Sequence, residues 1–159
     1  MDLSGDWDYI EAVAQARLAN NKGPHHVSCY GTEIETIGAA GELAARRCLH
    51  LSEDLHVHRD NGTDIEWRGW KIDVKTTQLT PLVDHRFLQW PEGKPIKCDI
   101  VLMAAVDVKS KRAKVLGFVA SSDIARAPVN PNRRFPCHEI PVKSLIPTNK
   151  LYELAKRHR

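Results

Sequence analysis

The 159-residue sequence has no Cys-x-x-Cys pair, no internal repeat, no low-complexity tract and no apolar run near the roughly 20 residues of a bilayer helix. The four cysteines, Cys29, Cys48, Cys98 and Cys137, are scattered, so their spacing writes neither a zinc ribbon nor a disulfide framework. His25, His26 and Cys29 stand close together, and Cys137-His138 offers two more donors. That spacing matches no standard finger, and packed or surface thiols and histidines are the expectation. The first residues, Met1-Asp2-Leu3-Ser4-Gly5-Asp6, lack the basic-then-apolar plan of a signal peptide, which leads to the expectation of a cytoplasmic protein with no membrane partner. No Ser/Gly-rich linker divides the chain, so one globular unit is expected, with an N-terminal helical extension over 1–30 and the main domain over 31–159.

Charge is also sparse when taken whole, at net +3, but it is unevenly placed. Residues 1–53 carry 4 basic and 8 acidic side chains, whereas 54–159 carry 19 and 12. The later part is the one suited to a polyanion. Arg126, Arg133 and Arg134 lie in an expected loop over 126–137, and Lys150, Lys156, Arg157 and Arg159 lie near the end of the chain. All are candidates for phosphate contacts.

Periodicity supplies the elements. Trp7, Ile10, Val13, Ala14 and Leu18 recur at helical spacing over 6–19, and Ile34, Ile37, Gly41, Ala44, Cys48 and Leu51 do so over 32–51. Thr32 and Glu35 have the form of a capping box. From Leu55 the period shortens to alternation through 55–59, 63–68 and 70–76. A less regular stretch with Pro81, Pro91 and Pro95 follows. The continuous apolar run over 99–107 reads as a central strand covered on both faces, and 113–120 reads as its neighbour. Ser121-Ser122 opens a short helix. Residues 139–142 read as an edge strand because Pro141 removes a ladder donor, and 149–157 form a last basic helix. The class is mixed α/β or α+β.

The segment 62–77 carries the chemistry. With Arg68-Gly69 as a two-residue turn, Trp67 faces Trp70, Glu66 faces Lys71, Ile65 faces Ile72 and Asp64 faces Asp73. Ile65, Trp67, Trp70, Ile72 and Val74 then build the core, while Asp64, Glu66, Lys71, Asp73 and Lys75 share the other face. Two carboxylates opposed across a ladder repel, so a cation is expected between them. Mg²⁺ suits the place, since it accepts one or two carboxylates and keeps positions for water and substrate phosphate. Lys75 would position an attacking water or neutralise developing charge. The alternative is a solvated sheet face of alternating charges. Gln78 and Gln89 are possible accessory polar groups, Thr76 and Thr77 extend the strand, and His138 reads as a packed histidine.

Asp64, followed after eight residues by Asp73-Val74-Lys75, resembles the Asp…(Asp/Glu)-x-Lys signature of the PD-(D/E)XK nuclease superfamily, the restriction-endonuclease-like fold. Gly38-Ala-Ala-Gly-Glu42 is similar to the Gly-x-x-x-Glu helix of archaeal Holliday-junction resolvases and related small nucleases. Cys98-Asp99, Gly117-Phe118-Val119 and His138…Pro141 extend the likeness over about 31–147. Asp at 73 and Gly-Thr before Asp64 depart from its commonest form. The resemblance implies an α-β-β-β-α-β core with a mixed central sheet flanked by helices. It also implies hydrolysis of DNA phosphodiester bonds, as by an endonuclease, with Mg²⁺ or Mn²⁺ as cofactor. Asp64, Asp73 and the Val74 carbonyl would ligate the metal, Lys75 would be the catalytic lysine, and Glu42 an auxiliary acid. A homodimer is a further expectation, since many relatives dimerise. For Glu42 the competing reading is a surface pair with Arg46 at i, i+4. For the whole chain it is a nucleic-acid-binding protein that keeps the fold without cutting.

Overall fold

Alternating and helical hydrophobic patterns sort the chain into two sheets and four helices in a computed structural model, which describes residues 1–20, 31–55 and 63–157. The His25, His26 and Cys29 cluster, most of the expected strand at 55–59 and Arg159 lie outside the described residues.

After a 3₁₀ turn at Ser4–Asp6, α1 (Trp7–Asn20) buries Trp7, Ile10, Val13 and Ala14 of the expected stripe and also Arg17, while Leu18, the last member of that stripe, is half-buried. It packs on α2 (Gly31–Cys48) through a cluster that joins Leu3, Trp7, Ile10 and Val13 to Ile37, Ala40, Leu43 and Val106. Residues 1–20 therefore share a core with the rest of the chain. α2 stops three residues short of the expected Leu51. His50 turns left-handed (φ 54°), its N–H donates to the Arg47 carbonyl at 3.2 Å, and the Leu51 N–H donates to the Arg46 carbonyl at 3.0 Å. These bonds satisfy the orphaned end carbonyls and prevent another turn.

The hairpin has the expected register. β1 (Ile65–Trp67) pairs antiparallel with β2 (Trp70–Gln78), with Ile65 opposite Ile72, Glu66 opposite Lys71 and Trp67 opposite Trp70. Arg68 (φ 52°) and Gly69 (φ 85°) both take positive φ, as a tight hairpin turn requires. Trp67 is buried and meets Tyr152 edge-on at 5.1 Å, a core role.

The chain then forms β3 (Phe87–Pro91), β4 (Ile100–Asp107), β5 (Arg112–Ala120), α3 (Ser121–Arg126), β6 (Val129–Asn130), β7 (Cys137–Pro141) and α4 (Thr148–Arg157). One sheet has the order β1-β2-β4-β5, with β2 and β4 parallel and the other pairs antiparallel. The other sheet has the order β3-β7-β6. β4 is buried along seven of its eight residues. Its Ile100, Leu102 and Val106 face α1, α2 and α4, while Val101 and Met103 face the small sheet through Leu88, Trp90 and Ile140. The fold is thus a mixed α+β arrangement with a mixed sheet between helices and a second sheet.

One expectation is extended and another corrected. β7 begins at Cys137 and lies between β3 and β6 only over Cys137 and His138; Glu139–Pro141 pair with β3 alone among the described residues, so Pro141 falls at an edge, on the last rung opposite Phe87. The parallel crossover from β2 to β4 holds a 3₁₀ turn (Val83–His85) and β3 in place of the helix that an α-β-β-β-α-β order requires. Three prolines in that stretch remove helix donors and fix φ. No helix among the described residues is long and apolar enough to cross a membrane.

Gly41 sets how closely α2 approaches β2. A Cβ there would lie 2.7 Å from Thr76 Cγ2 and 2.9 Å from Thr76 Cβ, and closer still to Oγ1. Gly41→Ala is therefore expected to destabilise the fold by about 1–3 kcal/mol through overpacking. Urea unfolding measures this loss, and Thr76→Ala in the same chain should recover part of it, since it removes Oγ1 and Cγ2 and keeps the Cβ contact.

Candidate active site

β2 pairs with β1 only over 70–72 and with β4 over 72–78, so the outer edge of 73–78 has no strand beside it among the described residues. Asp64 stands at this edge. Its N–H donates to the Ile72 carbonyl at 3.0 Å, and its Oδ2 accepts the Val74 N–H at 2.6 Å. The expected rung between Asp64 and Asp73 is not formed. β1 begins at Ile65, and the Asp64 carboxylate turns onto the β2 backbone instead.

Asp73 lies on the face that the small sheet covers and is only 5% exposed. Glu66 and Lys71 on the same strand face remain exposed. Lys75 Nζ stands 2.5 Å from Asp73 Oδ2 as an ion pair without hydrogen-bond alignment, so that buried oxygen accepts no hydrogen bond among the described residues. The Lys75 ammonium also lies over the Trp90 ring, 5.2 Å from its centroid. β3, hidden in the proline-rich stretch, thus supplies a wall of the site.

Glu42 reaches the same neighbourhood from α2, but both of its oxygens are taken. Arg17 Nη1 donates to Oε1 at 2.7 Å and Nη2 to Oε2 at 2.6 Å, with side chains 8% and 13% exposed. A fork of this kind, largely removed from water, is a strong charge-assisted contact. Desolvation alone would lower the Arg17 pKa, but the Glu42 hydrogen bonds and charge, with Asp64 and Glu35, outweigh it and raise the guanidinium above its ordinary value. The i, i+4 pair with Arg46 is absent. Arg46 is buried and reaches the Ser52 carbonyl (3.4 Å) and the Asp64 carbonyl (3.3 Å).

The electrostatics of Asp64 record this crowding. Burial first, then the charges of Glu42 and Asp73, push its carboxyl up from 3.8 to about 7, against the Val74 N–H and Lys75, which lower it. Asp64, Asp73, Glu42 and Lys75 therefore act on one another although they come from three elements. Cys98, beside Asp73, is held as a thiol: burial raises its pKa and the Asp73 charge adds to that, against a hydrogen bond shared between its sulfur and the Ser121 hydroxyl.

The donor set is of hard oxygens: the Asp64 and Asp73 carboxylates and the Val74 carbonyl, with Asp73 Oδ2 held by the Lys75 ammonium alone among the described residues. Such oxygens fit Mg²⁺ or Mn²⁺. No three His, Cys, Asp or Glu side chains gather as a ready cluster among the described residues, in keeping with the withdrawal of Glu42 to Arg17.

The three arginines expected in a loop differ from one another. Arg126 instead ends α3, 78% exposed, with Asp123 one turn earlier and 3.9 Å away. Arg134 packs over the exposed ring of Phe135. Arg133 is committed to Glu139 at 2.6 Å, which also accepts from Gln89 and Asn130 at 3.0 Å, so Gln89 and Arg133 brace the small sheet. His138 packs, with Nδ1 2.8 Å from the Ala127 carbonyl. Lys150 pairs with Glu153, and Lys156 is exposed. Gln78 is exposed at the end of β2.

The pattern missed Arg17, Trp90 and Arg86. Only Arg17 left a trace, as a charge on the apolar stripe of α1. No family model, curated protein or solved structure shows a significant match to the chain.

Proposed function

We propose that the protein is a divalent-metal-dependent nuclease that hydrolyses DNA phosphodiester bonds, on a restriction-endonuclease-like core, with Asp64, Asp73 and Lys75 at its centre. The observation that carries this reading is the convergence of Asp64, Asp73 and Glu42 beside Lys75, which Asp73 holds on β2; burial first, and then the charges of the other two carboxylates, lift the Asp64 carboxyl to about 7. A purely structural sheet edge gains nothing from such repulsion. Asp64, Asp73 and the Val74 carbonyl would hold Mg²⁺ or Mn²⁺, which supplies Lewis-acid polarisation of the phosphate and a more acidic water.

The chain's own residues do the rest. Asp73 holds the Lys75 ammonium by charge and Trp90 holds it through its ring face, so that a cation is set beside the phosphate without reorganisation. The Val74 N–H orients Asp64. Arg17 holds Glu42 aimed at the site while both of its oxygens stay occupied.

Plasmid, linear and branched DNA incubated with the protein in Mg²⁺ or Mn²⁺ should be cut, and EDTA should stop the cutting. Lys75→Ala is expected to slow it by about 10²–10³-fold, the cost of losing one preorganised charge at the reacting centre. Binding with no metal-dependent cleavage of any substrate would leave a non-catalytic nucleic-acid-binding protein as the answer.

A further inference from the structure

Beside the outer edge of β2 runs a cleft of about 400 Å³ lined by Ile34, Ile37 and Gly38 of α2, by Val74, Thr76, Thr77 and Gln78 of β2, and by Arg86. It borders the candidate active site at Val74, which lines it and donates its N–H to Asp64. Three features shape it. Gly38 has no side chain, and a Cβ there would meet nothing within 4 Å. Ile34 is 46% exposed at the mouth, with Leu82 and Phe87 also exposed on the segment that holds Arg86. Arg86 is exposed and makes no ion pair among the described residues, yet its backbone is fixed: its N–H donates to the Val83 carbonyl at 3.0 Å and its carbonyl accepts the Val142 N–H at 2.9 Å. A free guanidinium on an anchored backbone, facing apolar and amide groups, offers what a sugar–phosphate strand presents. The cation takes the phosphate oxygens and the apolar walls take sugar or base faces.

We propose that this cleft is the subsite for the DNA strand flanking the cut, with Arg86 holding a phosphate adjacent to the scissile one and so positioning the latter at Asp64, Asp73 and Lys75. The inference rests on the nuclease reading and adds to it the path of the strand. Arg86 is a positioning residue and takes no part in bond breaking. The uneven charge of the sequence acquires a local meaning here, since the cleft carries a cation and none of its lining residues is acidic.

The test is cleavage of a labelled single-stranded oligonucleotide in Mg²⁺ across a series of KCl concentrations, with uncharged methylphosphonates placed one at a time around the cut. Arg86→Ala should lower kcat/KM at least tenfold and reduce the slope of log(kcat/KM) against log[KCl] by about 0.7, the loss of one phosphate contact on a single strand. A methylphosphonate at one flanking position should slow the wild type and leave Arg86→Ala unaffected. Arg86→Lys should keep the salt slope. Gly38→Leu, which fills the cleft with Arg86 intact, should raise KM. Lys114→Ala, exposed on β5 at the opposite edge of the sheet, should change neither slope nor rate. Wild-type cleavage with Arg86→Ala matching it in salt slope and in response to every methylphosphonate would overturn this proposal alone. Failure of the wild type to cut any DNA would overturn the nuclease reading and this inference with it.

Discussion

Asp64→Asn is expected to make the metal-free protein more stable above pH 7 while removing at least about 10²-fold of its metal-dependent cleavage. The stability gain follows from the sign of the Asp64 shift. Below its ordinary pKa of 3.8 the carboxyl is protonated in both folded and unfolded chains and contributes no difference. Between 3.8 and about 7 the unfolded chain has released the proton and the folded chain retains it, so stability falls as pH rises through that window. At about 1.4 kcal/mol per pH unit the total reaches an upper bound on the order of 4 kcal/mol, and less to the extent that water reaches the carboxyl. Asparagine cannot ionise, and its amide oxygen can still accept the Val74 N–H. Thermal melts from pH 5 to 8 in EDTA should therefore show the wild type losing several degrees relative to Asp64→Asn. Mg²⁺ should raise the melting point of the wild type and leave that of the variant unchanged. An Asp64→Asn protein less stable than wild type at pH 8, with a parallel pH profile, would show that the carboxylates do not strain one another.

Arg17→Met is expected to be the most damaging single change away from the reacting centre, costing about 3–5 kcal/mol. The methionine stem keeps most of the packing of α1 against α2, so the loss isolates the charge. Glu42 would be left largely buried, with Asp64 near it and its own partner gone. For a chain of this length that corresponds to a fall in melting temperature of roughly 10 °C or more. Adding Glu42→Gln should restore much of the loss, since removing both charges costs less than orphaning one. Freed from Arg17, the two Glu42 oxygens can join Asp64 and Asp73, so Mn²⁺ should stabilise Arg17→Met more than it stabilises the wild type. Equal stability of Arg17→Met and wild type in EDTA would show the fork to be energetically idle.

What the sequence made legible was local. The Arg68-Gly69 hairpin could be read with its register because alternation, turn length and turn residues all act within a dozen positions. The same holds for α1, α2 and the apolar run of β4. β3 escaped because only Leu88 and Trp90 turn inward, between two prolines, which is too short an alternation to stand out. The approximate meeting of Glu42, Asp64, Asp73 and Lys75 was readable from strand faces together with a family resemblance. The state of each group was not. Asp64 leaves its rung for the Val74 amide, Asp73 is sealed beneath a sheet whose strands lie far along the chain, and Glu42 is claimed by a helix 25 residues earlier. Such long-range closures have no local period, and Arg86 entered the cleft in the same way.

The outer edge of β2, unpaired over 73–78 among the described residues, also bears on self-association. A row of unpaired strand amides and carbonyls is a template on which a second chain can add, and proteins blunt such rows with charge or by occupying the amides. Here the blunting is done by the residues assigned to chemistry: Asp64 occupies the Val74 amide, and Lys71 and Lys75 place like charges along the strand. Inactive variants chosen for convenience, such as Lys75→Ala, thin that guard. In concentrated solution they should scatter more light than the wild type, even where each folded chain melts no earlier.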